Sequence, residues 1–195
     1  MRKVNNLQLS TIEKQMAFYD FSSFDAENKV VIYFGRDQFS LADPGYHVNG
    51  KVFYQELFCI QLFIAKLMDK IADQECIIRK YQDEWVKNKR RSRKLYKSLK
   101  QAHIQIRKTP AIEIHKKSSV IPLFVESIVK YNTFAEFVFA EEKIVLSPTD
   151  HMDVFICFEN AEVLDKIEET INECNQTAGK DYVIMVHRHN EKFLR

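Results

Sequence analysis

The side chains best suited to chemistry in this sequence are the cations between residues 86 and 100. This stretch, VKNKRRSRKLYKSLK, contains eight Lys or Arg and no acidic residue. Lysine and arginine neutralise phosphate groups, so a run of this density predicts binding to the backbone of a nucleic acid. The side chains expected to contact phosphate are Lys87, Lys89, Arg90, Arg91, Arg93, Lys94, Lys97 and Lys100.

The positive charge of this run has no local compensation. Exposed helices usually interleave acids and bases, because opposite charges at i,i+4 stabilise a helix by about 0.2–0.5 kcal/mol and like charges cost a similar amount. No acid lies within four residues of any charge from Lys89 to Lys100. We therefore expect an anion from elsewhere, which is a nucleic acid, the acidic part of the same protein, or an acidic partner protein.

Several neighbouring residues would extend such a binding surface. Tyr96, His103 and Trp85 could stack on unpaired bases if the nucleic acid is single-stranded. Lys116 and Lys117 would add cations if the chain returns near the run. Binding would rest on phosphate contacts, with limited readout of the base sequence.

The opposite charge is concentrated in the C-terminal part of the chain. Residues 86–117 carry twelve basic residues and one acid, whereas the rest of the chain carries 17 basic and 26 acidic residues. This asymmetry supports an alternative function, an oligomeric interaction or inhibitor protein whose acidic half docks on a basic partner. The partner-binding residues would be Glu141, Glu142, Asp150, Asp153, Glu159 and Glu162.

A metal-dependent enzyme is a third hypothesis. His187 and His189 would lie on the same face of a strand, and Asp150, His151 and Asp153 offer further ligand types for zinc or iron. Glu141 to Lys143 is more typical of a charged β-turn than of a nuclease site. No phosphate-binding loop, nucleophile elbow or zinc-protease motif occurs. The sequence therefore predicts a protein without catalytic activity, metal or cofactor.

Composition and cysteine usage indicate a globular cytoplasmic protein. The 195 residues are 46% hydrophobic and 29% charged, and the N-terminus lacks the apolar run of a signal peptide. Four separated cysteines without a CxxC pair predict free thiols in a reducing compartment. The longest apolar stretch is too short to span a bilayer, so no membrane association is expected.

The element that carries the basic run is predicted to be one long helix. Residues 51–109 contain no Gly or Pro, and thirteen of sixteen positions at alternating steps of four and three are apolar. Such a seam predicts either a coiled coil that forms a homodimer or a helix that folds back near residues 86–92. The first half of this segment is apolar and the second half is basic. The seam consists of Phe53, Leu57, Ile60, Ile64, Leu67, Ile71, Gln74, Ile78, Tyr81, Trp85, Asn88, Ser92, Leu95, Leu99, Ala102 and Ile106.

The flanking segments predict an α+β fold with a mixed sheet of about five or six strands packed by helices. Residues 1–50 should form a helix from Thr11 to Tyr19, capped by Ser10, and a strand at 29–35 that is buried on both faces. Residues 110–195 form an acidic α+β region. Its strands are expected at 111–115, 134–140, 143–147, 152–158 and 181–187, and its helices at 118–132 and after Asn160.

These observations together predict a small regulatory or accessory protein without enzymatic activity. It would bind DNA or RNA through the basic half of the central helix and would form a homodimer through the apolar seam.

Overall fold

The computed structural model describes residues 1–21, 28–34, 50–80, 85–86, 88–131, 133–178 and 185–188. They form eight strands and five helices. In chain order these are β1 (Arg2–Val4), α1 (Asn6–Gln15), β2 (Lys29–Tyr33), α2 (Lys51–Lys70), β3 (Glu75–Lys80), α3 (Arg93–Gln101), β4 (Ala111–His115), α4 (Ile121–Tyr131), β5 (Ala135–Phe139), β6 (Ile144–Pro148), β7 (Asp153–Phe158), α5 (Val163–Ala178) and β8 (Met185–Arg188).

All eight strands belong to one sheet, in the order β1-β4-β3-β5-β6-β7-β2-β8. The seven neighbouring pairs are antiparallel. The α+β class is confirmed, but the prediction of a mixed sheet with five or six strands was wrong. The count was too low because β1 has only three residues and β3 lies inside the segment that was read as helix.

The single long helix over residues 51–109 was also wrong. Helix α2 ends at Lys70, β3 follows at Glu75–Lys80, and α3 begins at Arg93. In β3 the sequence ECIIRK places Cys76 and Ile78 on one buried face, as the two-residue period of a strand requires. Over so few residues, the spacing of apolar side chains does not distinguish a strand from a helix. Pairing with two neighbouring strands decides between the two.

The apolar seam of α2 is used inside the chain. Its five positions, Phe53, Leu57, Ile60, Ile64 and Leu67, are all buried in the core that α2 forms with the sheet. They are therefore not available to a second copy, and the homodimer remains a prediction without the coiled coil on which it was based.

The two faces of the sheet carry different layers. The larger core contains buried residues of α2, α3, α4 and α5 together with sheet residues such as Ile78, Phe137 and Ile156. The smaller core joins Leu9 and Met16, at α1, to a cross-strand row on the other face. That row is Ile77, Val138, Val145 and Cys157, which are paired in register. Helix α1 thus covers one face, and four helices cover the other.

Most of the remaining elements were predicted within a few residues. Helix α1 is an exception, because Asn5 rather than Ser10 is its N-cap, and Asn5 and Gln8 form a reciprocal capping box. In β2 only Val30 and Ile32 are buried, while Val31 is half-buried, so that strand is not buried equally on both faces. The predicted strand residues 181–184 lie outside the described part of the chain.

The four cysteines are free and buried, as the sequence predicted. Burial raises the pKa of Cys59 and Cys174 to about 11 and that of Cys157 to about 12. Within the described ranges, no helix combines the length and apolar character that crossing a bilayer requires.

A polar network lies under α1. The hydroxyl of Tyr19 donates to Glu136 Oε1 at 2.7 Å, and Arg79 Nη1 lies 3.0 Å from Glu136 Oε2. Arg79 Nε also pairs with Glu13 Oε1 at 2.9 Å, and its guanidinium lies over the ring of Phe21. The Glu136 side chain has no exposed surface, so Arg79 supplies the charge that offsets its removal from water.

Loss of Arg79 should therefore leave an uncompensated buried carboxylate. We expect Arg79→Met to lower the free energy of unfolding at pH 7 by about 3–5 kcal/mol. Burial already raises the pKa of Glu136 above its ordinary value of 4.5, so the Glu136 carboxyl stays protonated to higher pH in the native state than in the unfolded chain. The stability lost in Arg79→Met should therefore become smaller as the pH falls toward 4.5, because the carboxyl is then neutral and needs no counter-charge. Urea unfolding followed by circular dichroism measures both effects.

Two further variants make this test specific. Arg79→Met combined with Glu136→Gln should be more stable than Arg79→Met alone at pH 7, since the amide carries no charge and still accepts from Tyr19. Arg2→Met removes an exposed pair with Glu113 and should cost no more than about 1 kcal/mol. A double variant no more stable than Arg79→Met would contradict this account.

Candidate nucleic-acid interface

Helix α3 has one buried side and one cationic side. Leu95 and Leu99 are buried in the larger core, with Ser92 at the same side of the helix and Ala102 packed against the core. These are seam positions, so the predicted frame is correct within this helix although the longer helix is not. All described members of the basic run are exposed: Lys89, Arg90, Arg91, Arg93, Lys94, Lys97 and Lys100. Lys87 lies outside the described residues.

The segments around α3 are anchored by buried hydrogen bonds. Ser92 Oγ lies 3.0 Å from Ser127 Oγ of α4, and Ser127 Oγ donates to Thr133 Oγ1 at 3.1 Å. Before the helix, the indole N–H of Trp85 donates to the carbonyl of Thr109 at 3.0 Å. The basic helix is thus held against the core from both ends instead of projecting into solvent.

The C-terminus of α3 turns the chain back beside the helix. The N–H of Ile104 donates to the carbonyl of Leu99 at 2.9 Å, and that of His103 donates to the carbonyl of Lys100 at 3.0 Å. This bond pattern is a Schellman motif. His103 occupies the left-handed position with φ 55°, where glycine is more common. The reversal brings Ile104, Ile106 and Arg107 alongside the helix.

The seven exposed cations between residues 89 and 100 form no ion pairs with other described residues, although ion pairs are frequent elsewhere in the described chain. Lys66 and Lys70 pair with Glu173, Lys143 pairs with Glu159, and Lys166 pairs with Glu142. For Lys89, Arg90, Arg91, Arg93, Lys94, Lys97 and Lys100, no described carboxylate lies within 4 Å. The acidic half of the described chain therefore does not offset this charge through direct pairs.

The start of α3 adds to the positive potential. Its first turn contains no acidic residue, and the Ser92 side chain does not cap it, since that hydroxyl bonds to Ser127 instead. A helix N-terminus carries a partial positive charge, which Arg93 and Lys94 reinforce instead of balancing. Glu126 of α4 is the one carboxylate among the described residues that line the adjacent depression with Arg91, Arg93 and Lys94.

Other residues predicted for this surface are placed differently. Trp85 is fully buried and cannot stack on a base, Lys116 is buried and donates to the carbonyl of Ile71, and Lys117 pairs with Asp69. Tyr96 is half-buried and His103 is exposed. Sequence reasoning did not single out Arg107 and Lys108, which are exposed beyond the turn after α3. Their position within the basic segment 86–117 was the available signal.

The predicted acidic surface is divided between the two ends of the sheet strands. Glu141, Glu142, Glu159 and Glu162 line one depression of about 410 Å³, together with Lys143 and Lys166. Asp150 and Asp153 lie at the β6–β7 connection, at the opposite ends of those strands. Asp153 is buried, and burial raises the pKa of its carboxyl, so it cannot serve as an exposed docking residue.

The residues considered for metal binding do not form a cluster in the described structure. His187 lies on β8, which is separated from β7 by β2, and His189 is outside the described residues. Among the described residues, no three His, Cys, Asp or Glu side chains are placed to hold a metal ion. Glu141 to Lys143 belong to the β5–β6 turn, whose backbone N–H groups at 141 and 142 donate to Asp73.

Comparison of the chain with protein-family models, with curated proteins and with solved structures finds no match.

The unbalanced charge should reduce the stability of the protein. Lys97 has like-charged neighbours at i−4, i−3 and i+3, namely Arg93, Lys94 and Lys100. Because each such pair costs about 0.2–0.5 kcal/mol, we expect Lys97→Gln to raise the free energy of unfolding by about 0.6–1.5 kcal/mol in low salt. Glutamine has nearly the same helix propensity as lysine, and added salt should screen the gain. Urea unfolding at two salt concentrations measures the effect.

The matched control is Lys14→Gln on α1, where no charged residue lies three or four positions away. Its effect should stay within about 0.5 kcal/mol. If Lys97→Gln is no more stable than the parent protein in low salt, the repulsion inferred here is wrong.

Proposed function

We propose that this protein binds nucleic acid through the exposed cationic side of α3 and the turns on either side of it. The observation that carries the proposal is the contrast in pairing. Lys66, Lys70, Lys143 and Lys166 each have a carboxylate partner. By contrast, all seven exposed cations between residues 89 and 100 lack a described carboxylate within 4 Å. Like charges placed side by side lower the stability of a helix. Their presence at this surface supports an anion from outside the protein as the group that they bind.

The size of the surface fits a phosphate backbone. Nine residues of α3 extend over about 13 Å at 1.5 Å per residue. One strand of DNA carries one negative charge per roughly 3.4 Å, so about four phosphates of a strand lie along the helix. The helix itself carries four exposed cations, Arg93, Lys94, Lys97 and Lys100. The binding would be an accessory or regulatory activity rather than a catalytic one.

Readout of the base sequence should be limited. Four of the seven exposed cations are lysines, whose ammonium groups bind phosphate as point charges and lack the planar donor fork of arginine. The side-chain oxygen of Asn88 already accepts from the N–H of Arg91. The affinity should therefore depend on salt more than on sequence.

Neutralisation of two cations of α3 tests the proposal directly. We expect the parent protein to bind a labelled nucleic acid of mixed sequence with an affinity that falls steeply between about 50 and 200 mM salt. In Lys94→Ala/Lys97→Ala, affinity should fall at 50 mM salt, and the slope of log affinity against log salt should decrease by roughly two. Fluorescence anisotropy measures both quantities.

The control variant carries the same change of charge at another surface. Lys3→Ala/Lys14→Ala removes two exposed lysines from β1 and α1 and should leave affinity and slope close to the parent values. No binding in low salt, or equal losses in the two double variants, would reject the proposal.

A second function is supported by one feature, the depression in which four of the six predicted acidic residues meet. There the protein would dock on a basic partner. Two of its carboxylates, Glu142 and Glu159, are already paired with Lys166 and Lys143, which leaves Glu141 and Glu162 as the residues to reverse. Under this alternative, Glu141→Lys/Glu162→Lys would abolish function and Lys94→Ala/Lys97→Ala would not.

A further inference from the structure

A small cleft lies at the C-terminal end of the cationic surface. It encloses a volume of about 240 Å³ and is lined by Lys89, Tyr96, Lys100, Ile104, Ile106 and Arg107. We call it the Tyr96 cleft and define it by these six lining residues. They come from three places in the chain: the turn before α3, the helix itself, and the segment that the Schellman motif returns beside it.

The walls of the Tyr96 cleft and its cations differ in chemistry. Tyr96 contributes an aromatic ring, while Ile104 and Ile106 contribute aliphatic surface. Lys89, Lys100 and Arg107 supply three positive charges, all on exposed residues. The ammonium group of Lys89 lies 5.7 Å from the centre of the Tyr96 ring, close enough for a cation–π contact.

We propose that the Tyr96 cleft receives an unpaired base and that the nucleic acid bound by this protein is single-stranded. A flat base with a charged phosphate on either side needs an aromatic or aliphatic surface and nearby cations, and the cleft offers both. This inference rests on the proposed function. It adds that the nucleic acid is single-stranded and that Tyr96 is the residue that distinguishes a single strand from a duplex.

The distinction from duplex binding follows from access to the base. In a duplex the faces of the bases are covered by their stacked neighbours, so a protein reaches phosphates and base edges but not the faces. A tyrosine in a cleft can stack only on a base that has left the stack or was never paired. Lys94 and Lys97, which face solvent without lining the cleft, would contribute to both kinds of nucleic acid through phosphate.

The test compares a labelled single-stranded DNA oligonucleotide, chosen to form no internal pairs, with the duplex of the same sequence. We expect the parent protein to bind the single strand more tightly. Tyr96→Ala should weaken single-strand binding by about 5- to 150-fold and leave duplex binding unchanged, because only stacking is lost. Tyr96→Phe keeps the ring and should bind the single strand like the parent.

Two measurements protect this test from a folding artefact. Duplex affinity in Tyr96→Ala reports whether the cationic surface is still formed, because it depends on the same helix. Phe58→Ala removes an exposed aromatic ring from α2, outside the cleft, and should change neither affinity.

The outcomes separate this inference from the function on which it rests. Failure to bind either probe in low salt rejects nucleic-acid binding itself. Salt-dependent binding of both probes with equal affinity, unaffected by Tyr96→Ala, supports the function and rejects the single-strand inference. Equal losses on both probes in Tyr96→Ala also reject it, since they show that Tyr96 supports the helix and does not stack on a base.

Discussion

The pairing of β3 on both of its edges is the constraint on which the rest of this structure depends. Strand β3 bonds to β4 on one side and to β5 on the other, and so connects the β1–β4 edge to the β5–β6–β7 meander. To occupy that position the chain must leave α2 after Lys70, and Asp73 then holds the β5–β6 turn through two backbone N–H groups. The same pairing places Arg79 beside Glu136 and fixes where the chain departs toward α3.

The cationic surface follows from this arrangement. Helix α3 lies between β3 and β4 in the chain and packs in the larger core, so it belongs to a connection whose two flanking strands are both in the sheet. Its apolar side must be buried for the connection to stay on the core, and only the opposite side is available for charge. A freely projecting basic helix would present the same residues with no fixed arrangement. Anchoring places them at defined positions, which lowers the entropy lost on binding a ligand.

The sequence predicted those parts of the fold in which local signals agree with the tertiary structure. Strands β5, β6 and β7 are apolar, β-branched or aromatic runs separated by polar turns, and α4 has Pro122 in its first turn. The secondary structure between Lys70 and Arg93 could not be predicted from local signals. This region has no Gly or Pro, and its apolar residues fit the spacing of a helix as well as that of a strand. For residues 75–80 the outcome depends on pairing with β4 and β5, which are distant in the sequence. Within α3 the seam was informative, because the exposed cations are those outside it. The Tyr96 cleft was not predictable, since its far wall depends on a left-handed His103 that no local signal indicates.

The distribution of the thiols has a consequence for how motions of this protein can be followed. Cys59 and Cys174 lie on α2 and α5, two helices that pack together, whereas Cys76 and Cys157 lie in strands β3 and β7. All four are buried, and burial raises the pKa of each, so the reactive thiolate forms only when the surrounding structure opens. Alkylation of the unmodified protein, resolved residue by residue, would therefore report separately on exposure of the helical layer and of the sheet. The native cysteines act as internal reporters of sub-global unfolding and need no introduced label.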